Sequence, residues 1–337
     1  MPKINIEQIQ KEVLRYVKTQ PKVLQAAIMS KDITLNKHAR TITKVRGEYP
    51  SIHSLIGHVV QGFNSKKWTP FGDIQFRTKV SKNYHQKVDF QLDPAEIIGS
   101  VLEDWYDEGK PLEQKAISKH AIDLLKQKII SDVEILSITG EYNAAKIGLD
   151  TPEFGYSMDG LNTIVKNGLK NSDNPFFLIP GNEVTEVNIL DEVLAFERAL
   201  PKVAKNQVKK IFMSDTQKEA YQLAYEDKYG QNQFNTDQFR TRLGKREIVG
   251  LPGYTGPMFA TVENGLIRLV DIIDNPATIT DVQRDKRILN ILGEFTLGYD
   301  FAINELTFVH TSEGGKQRGL NNAELNALYY PEEKLTA

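Results

Sequence analysis

The chain has 337 residues, 40% of them hydrophobic and 26% charged, so it can bury a substantial core in one large or two modest domains. Lys plus Arg number 42 against 44 Asp plus Glu, a net charge of −2 that supplies no global pull toward nucleic acid or an anionic membrane. There is no cysteine, which excludes disulfides, thiolate nucleophiles and thiolate metal sites.

The N-terminal segment is charged throughout and lacks the apolar core of a signal peptide. No apolar run approaches the length of a membrane span. The expectation is a protein made and used in a cytoplasm. Residues 5–29 place Ile6, Ile9, Val13, Tyr16 and Val17 at helical spacing, and Pro21 then interrupts before Val23, Leu24, Ala27 and Ile28. This arm is basic, with Arg15 and Lys18 on the first helix and Lys37 and Arg40 further on. Its charges suit a solvated face, the acidic surface of a neighbouring subunit, or DNA.

Residues 47–72 hold glycines, prolines and the scattered aromatics Phe63, Trp68 and Phe71, with Lys66 and Lys67 among them. No helical period persists there. Such a segment reads as a projecting loop that buries its apolar groups on something else. Residues 73–92 alternate through Ile74, Phe76, Val80, Val88, Phe90 and Leu92, so a hairpin is expected across SKNYH. Asp93, Pro94 and Glu96 form a helix start, with the helix ending before Gly109.

From Pro111 the pattern predicts the longest helix, with Ile117, Ala121, Leu124, Leu125, Ile129, Val133 and Leu136 in one stripe and Gly140 as its stop. A short helix is expected near Met158–Lys166, ended by Asn167 and Gly168. FFLIP (176–180) reads as a small strand, and a helix follows from about Glu186 to Ala199. Residues 151–200 are acidic and could attract the basic arm across a subunit boundary.

The stretch from Val208 to Val309 opens with a strand, a capping box at Ser214 and Gln217, and an amphipathic helix stopped by Gly230. MFATV-ENG-LIRLVDII reads as a hairpin turning at Glu263, Asn264 and Gly265. Phe295, Leu297, Tyr299, Phe301 and Ile303 alternate on one strand face. No chemical constellation emerges. His53 and His58 are five apart, which splays them on a helix, and they lack the pattern of a zinc-protease helix. GLPGYTG (250–256) and EGGKQRG (314–320) have the wrong spacing or context for nucleotide loops and read as turns.

Taken in order, HQKVDFQLDPAEIIGSVLEDWYDEG (85–109), SMDGLNTIVKNGL (157–169), IFMSDTQKEAYQLA (211–224), REIVGLPGY (246–254) and LGEFTLGYDFAINELTFV (292–309) resemble the major capsid proteins of tailed bacteriophages. The resemblance covers roughly residues 40–310 and lies in order and spacing. It implies an α+β Hong-Kong-97-type capsid fold, shared in outline with bacterial encapsulin shells. The implied parts are an N-terminal arm (1–45), an extended β-hairpin loop (46–92), a peripheral domain with the spine helix (93–149), a mixed α/β axial domain (150–290), and return strands with the C-terminal tail (291–337).

What the resemblance implies for function is a structural protein without enzymatic activity or cofactor. Copies would join as pentamers and hexamers into an icosahedral shell around double-stranded DNA, held without sequence-specific binding. A scaffolding protein, a portal and decoration proteins are the implied partners, and no membrane is involved. The implied location is the virion capsid, assembled in the host bacterial cytoplasm. Phe63, Lys66, Trp68, Phe71, Arg15 and Lys18 are the candidate intersubunit contacts. An encapsulin-like shell around cargo enzyme is the alternative within the fold. A soluble α+β enzyme with site residues on separated loops is the alternative from another class.

Overall fold

A computed structural model describes residues 6–93, 117–229 and 240–335. Two five-stranded sheets organise it, with a two-stranded hairpin beside them. The helix expected from Asp93 and Pro94, the Pro111 start of the spine and the Gly230 stop lie outside the described residues.

The arm does not stand free. Helices α1 (Ile6–Thr19) and α2 (Val23–Ile28) fold back on the chain's own spine, α3 (Ile117–Thr139). Val13, Leu24, Ala27 and Ile28 are buried there. Hydrogen bonds tie the arm down on two elements: Gln10 Nε2 donates to the Val282 carbonyl on the strand 278–285 (3.2 Å), and the Thr34 N–H donates to Glu134 on the spine (2.7 Å). At 1.5 Å per residue the described spine is about 35 Å long. Its buried stripe runs through Ile122, Leu125, Ile129, Val133 and Leu136, at the helical spacing that keeps one face inward. Leu124, expected in that stripe, is turned about 100° from Leu125 and faces outward.

The first sheet has the order β1 (Arg40–Ile42), β9 (Leu266–Leu269), β11 (Ile288–Phe301) and β10 (Thr278–Asp285). Strand β4 (Tyr84–Leu92) also joins β11, antiparallel from Leu289 to Leu297, and β9 takes over from Gly298 to Phe301. The second sheet has the order β5 (Phe177–Pro180), β12 (Thr307–Thr311), β8 (Phe259–Val262), β6 (Val208–Ser214) and β7 (Glu247–Leu251). Helices α5 (Ile189–Ala199) and α7 (Asp215–Tyr229) pack against each other, and α7 covers β6 and β7. The expected capping box is present at its start: Ser214 Oγ accepts from the Gln217 N–H, and Gln217 Oε1 accepts from the Ser214 N–H.

Two large apolar cores form among the described residues, one around the spine and β11, the other around β6, α5 and the C-terminal helix α8 (Ala323–Tyr329), with a small third cluster of Val45, Ile267 and Leu269. A chain of rings lies where the sheets meet. Phe212 stacks on Phe259 at 4.9 Å, and Phe259 meets Phe301 edge-on at 5.5 Å.

Three local expectations are corrected. Residues 259–269 do turn at Asn264 (φ 63), but β8 and β9 belong to different sheets and do not pair. The turn is held from both sides: the Glu263 N–H donates to Gln207 and the Ala302 N–H to Gly265, so the chain crosses between layers here. The alternating run after Phe295 also breaks, because β11 ends at Phe301 and a 3₁₀ turn at Asn304–Leu306 carries the chain back into the second sheet. Asn167 and Gly168 do not end a helix; α4 runs Leu161–Lys170. A Cβ on Gly168 would sit 2.2 Å from the Phe176 ring, so the glycine serves close approach and not chain reversal.

Gly168→Ala is therefore expected to destabilise the fold by about 2 kcal/mol, since overpacking outweighs the helix-propensity gain. Phe176 is wedged edge-on against Phe301 and has little room to move. A urea midpoint equal to or above that of the parent would refute this.

Candidate assembly interface

The expected hairpin within residues 73–92 is also corrected, and the correction defines the candidate interface. Strand β3 (Ile74–Lys82) does not pair with β4; only Asn83 separates them, and each has another partner. The partner of β3 is β2 (Glu48–Ile56), inside the stretch read as a projecting loop without helical period. The two pair antiparallel from Glu48 opposite Lys82 to Ile56 opposite Ile74, and residues 57–73 form the tip. Alternation in sequence is the same whichever strand supplies the partner, so it could not choose between them.

The base of the hairpin is fixed by Asn83, a buried residue. Its backbone N–H donates to Gly47 (2.6 Å) and its side-chain amide to Val45 (2.7 Å). Gly298 lies beneath: a Cβ there would come within 2.3 Å of the Lys82 carbonyl, so β11 meets the hairpin base backbone to backbone.

Along the hairpin the usual amphipathic order is inverted. One face carries Pro50, Ile52, Ser54 and Ile56 from β2 opposite Val80, Thr78, Phe76 and Ile74 from β3, and every one of these is exposed. The other face carries Ser51 and His53 opposite Lys79 and Arg77, with Tyr49 and Leu55 at its two ends packed on the body, and it is turned inward. Lys79 Nζ donates to Asp300 (2.6 Å), to the Phe301 carbonyl (2.6 Å) and to Asn304 (2.8 Å). Arg77 donates to the Asp173 carbonyl (2.7 Å), and His53 hydrogen-bonds the Tyr329 hydroxyl. Lys79, Arg77 and His53 thus find partners within the subunit, and the face left to solvent is the more apolar one. Large contiguous apolar surface of this kind marks a protein contact.

The candidate contacts named from sequence fall on two elements. Phe63, Lys66, Trp68 and Phe71 all lie exposed on the tip, with Phe63 94% and Trp68 87% accessible. Arg15 and Lys18 are exposed on α1, whose opposite side packs on the spine. The structure does not gather these six into one cluster. It adds Ile52, Ile56, Ile74, Phe76 and Val80 to the tip residues. The alternation of Ile74, Phe76 and Val80 marked a strand face in the sequence, whereas Ile52 and Ile56 carry no such signal there.

His53 also carries an acid sensitivity. Burial and the neighbouring Arg77 charge hold its imidazole below the ordinary 6.5. Burial lowers His310 as well, against the pull of Glu192, and His38 is brought down to about 4 by burial with Lys210 and Lys37. Each ring binds a proton less readily folded than unfolded. The contribution of His38 is complete above the unfolded value and is lost as pH falls from 6.5 toward about 4, and His53 and His310 act in the same direction. Discounted for partial exposure, the loss between pH about 7 and about 4.5 is on the order of 2 kcal/mol. Denaturant midpoints that rise over the same pH decrease would contradict it.

No family model matches the chain, and no curated protein sequence matches it. Solved structures do. A chain from the satellite phage P4 procapsid, which includes the size determination (Sid) protein, aligns over 86% of this chain and 98% of its own, with a TM-score of 0.53 at 9% identity. A chain from the capsid of a native GTA particle aligns over 83% and 89%, with a TM-score of 0.52 at 12% identity. The chain has the Hong-Kong-97-type capsid fold. At 9% and 12% identity the likeness is one of fold.

Proposed function

We propose that the chain is a major capsid protein that closes into a shell through its hairpin. The observation that carries this reading is the inverted hairpin on a capsid fold: Ile52, Ile56, Ile74, Phe76 and Val80 face solvent while Lys79 and Arg77 face the body. The occupant of that face is a second copy of the chain. A hairpin that seats on the next subunit, which seats its own hairpin on the next again, is a head-to-tail contact that closes into rings. Pentameric and hexameric rings joined edge to edge would form an icosahedral shell around double-stranded DNA.

In this reading residues 1–45 act as the arm, 46–92 as the extended loop, 93–149 with the return strands after 291 as the peripheral domain, and 150–290 as the axial domain. The exposed Arg15 and Lys18 lie against the acidic block 151–200 of a neighbour. Assembly should then weaken as salt rises, because exposed ion pairs are screened. Yield unchanged between low and high salt would contradict the ionic contact. A scaffold, a portal and decoration proteins complete the particle, and assembly takes place in a bacterial cytoplasm.

The test of the reading is the content of purified particles. Closed particles seen by negative-stain microscopy that protect double-stranded DNA from nuclease support it. Particles that hold protein cargo and no DNA favour a compartment shell instead. A small soluble oligomer under all conditions, with scaffold present, would overturn shell formation itself.

A further inference from the structure

A cleft of about 260 Å3 opens where the end of the arm meets the second sheet. Its walls are the arm segment 37–40, the start of β6, and the turn by which the chain crosses between sheets. Lys37, Arg40, Lys209 and Lys210 line it together with His38. The carboxylate in the lining is Glu263, and Glu247 lies 3.7 Å from Lys210 outside it. Cations therefore outnumber carboxylates two to one here, on a chain whose net charge is −2. Lys37, Arg40 and Lys209 are exposed.

His38 fixes the polarity of the site. Lys210 Nζ lies 2.9 Å from His38 Nδ1. An ammonium has only hydrogens to give, so Nδ1 accepts and the ring proton sits on Nε2. The ring packs edge-on against Phe212 at 5.4 Å, which holds its orientation. Apart from Glu263, the side chains that line the cleft with charge or with a polar ring offer donors.

We propose that this cleft binds a phosphoryl anion of diphosphate size, either free or as part of a polynucleotide backbone. A single carboxylate would satisfy one cation and leave the others facing each other. A diphosphate brings several charges and many acceptor oxygens into one small volume, and the Arg40 guanidinium can take two of them at once. The cleft is too small for a helix or strand of a partner. The assignment does not depend on shell formation, so either can fail without the other.

The experiment uses the full chain at about 50 mM salt, where phosphate contacts are strongest. Calorimetric titration with pyrophosphate is expected to show binding. The triple variant Lys37→Ala, Arg40→Ala, Lys209→Ala is expected to weaken it at least tenfold, as loss of several charge-assisted contacts requires. The pair Lys66→Ala and Lys67→Ala, on the hairpin tip, should leave it unchanged. If the triple variant loses its fold, Lys209→Glu alone repeats the test at one exposed strand position. A bound anion should also raise the His38 pKa, read from its ring chemical shifts.

A labelled single-stranded oligonucleotide separates the sources. Binding that falls in the same variant identifies a nucleic-acid backbone, and pyrophosphate binding without oligonucleotide binding identifies a small phosphate. The proposal is overturned if neither ligand binds, or if the cleft variants bind like the parent. It is equally overturned if a polyglutamate peptide binds in a cleft-dependent way while the phosphates do not.

Discussion

Phe76→Asp is expected to leave the subunit folded and to abolish shell formation. Phe76 is 71% accessible and sits at the centre of the outward hairpin face, opposite Ser54. In the free subunit the new carboxylate stays in water, so the stability change should remain within about 0.5 kcal/mol. In an assembled particle the same carboxylate would be buried against apolar groups without a partner, at a cost of several kcal/mol in each contact. Every subunit of the shell carries that cost, so partial assembly is not the expected outcome. Denaturant midpoints report the first half of the prediction and gradient-purified particle yield the second. Trp68→Ala on the tip removes area without adding charge and should weaken shells more mildly. Parental particle yield from Phe76→Asp would mean the hairpin face is not an assembly contact.

The second large effect is expected at Lys79. Lys79→Ala removes an ammonium that serves three acceptors, and it leaves Asp300 without its cation. Both side chains are nearly enclosed, at 11% and 14% accessible. A carboxylate stranded in such a place is worth about 3 kcal/mol of lost stability. Part of this loss should be local. Amide exchange in β2 and β3 should speed up more than in the second sheet, because Lys79, Arg77 and His53 are the polar contacts that hold the hairpin to the body. A stability change below about 0.5 kcal/mol would show that these bonds contribute little beyond what water offers.

What the sequence made legible was local and periodic. The Ser214–Gln217 box, the strand at Phe177, the spine and its end before Gly140 all follow from caps and apolar spacing, which act over a few residues. What it concealed was partnership. The alternation in β3 is real, but nothing in it says that the partner is β2 and not β4. The turn at Asn264 is real, but the flanking strands separate into two sheets because Gln207 and Ala302 grip the turn from either side. Gly168 carries the signal of a helix stop, yet the approach of Phe176 decides its use.

The candidate interface shows the same division. Phe63, Trp68 and Phe71 stand out because large aromatics in a loop without period have no core to join. Ile52, Ile56 and Phe76 do not stand out, because in an ordinary strand such residues face inward. The bonds of Lys79, Arg77 and His53 beneath the hairpin show which side is the inner one. The docking of α1 and α2 on the chain's own spine was likewise hidden, since a helical stripe records an apolar face and not its owner.

The central claim is that the outer hairpin face is covered by another copy when subunits assemble. The absence of cysteine makes a direct measurement possible. Ser54→Cys places a single thiol at the middle of that face by a near-isosteric change, at an exposed position opposite Phe76. The rate of its modification by a thiol reagent is then compared between free subunits and purified particles. The account predicts fast reaction in the free subunit and strong protection, on the order of a hundredfold, in the particle. Equal reactivity in both would contradict it.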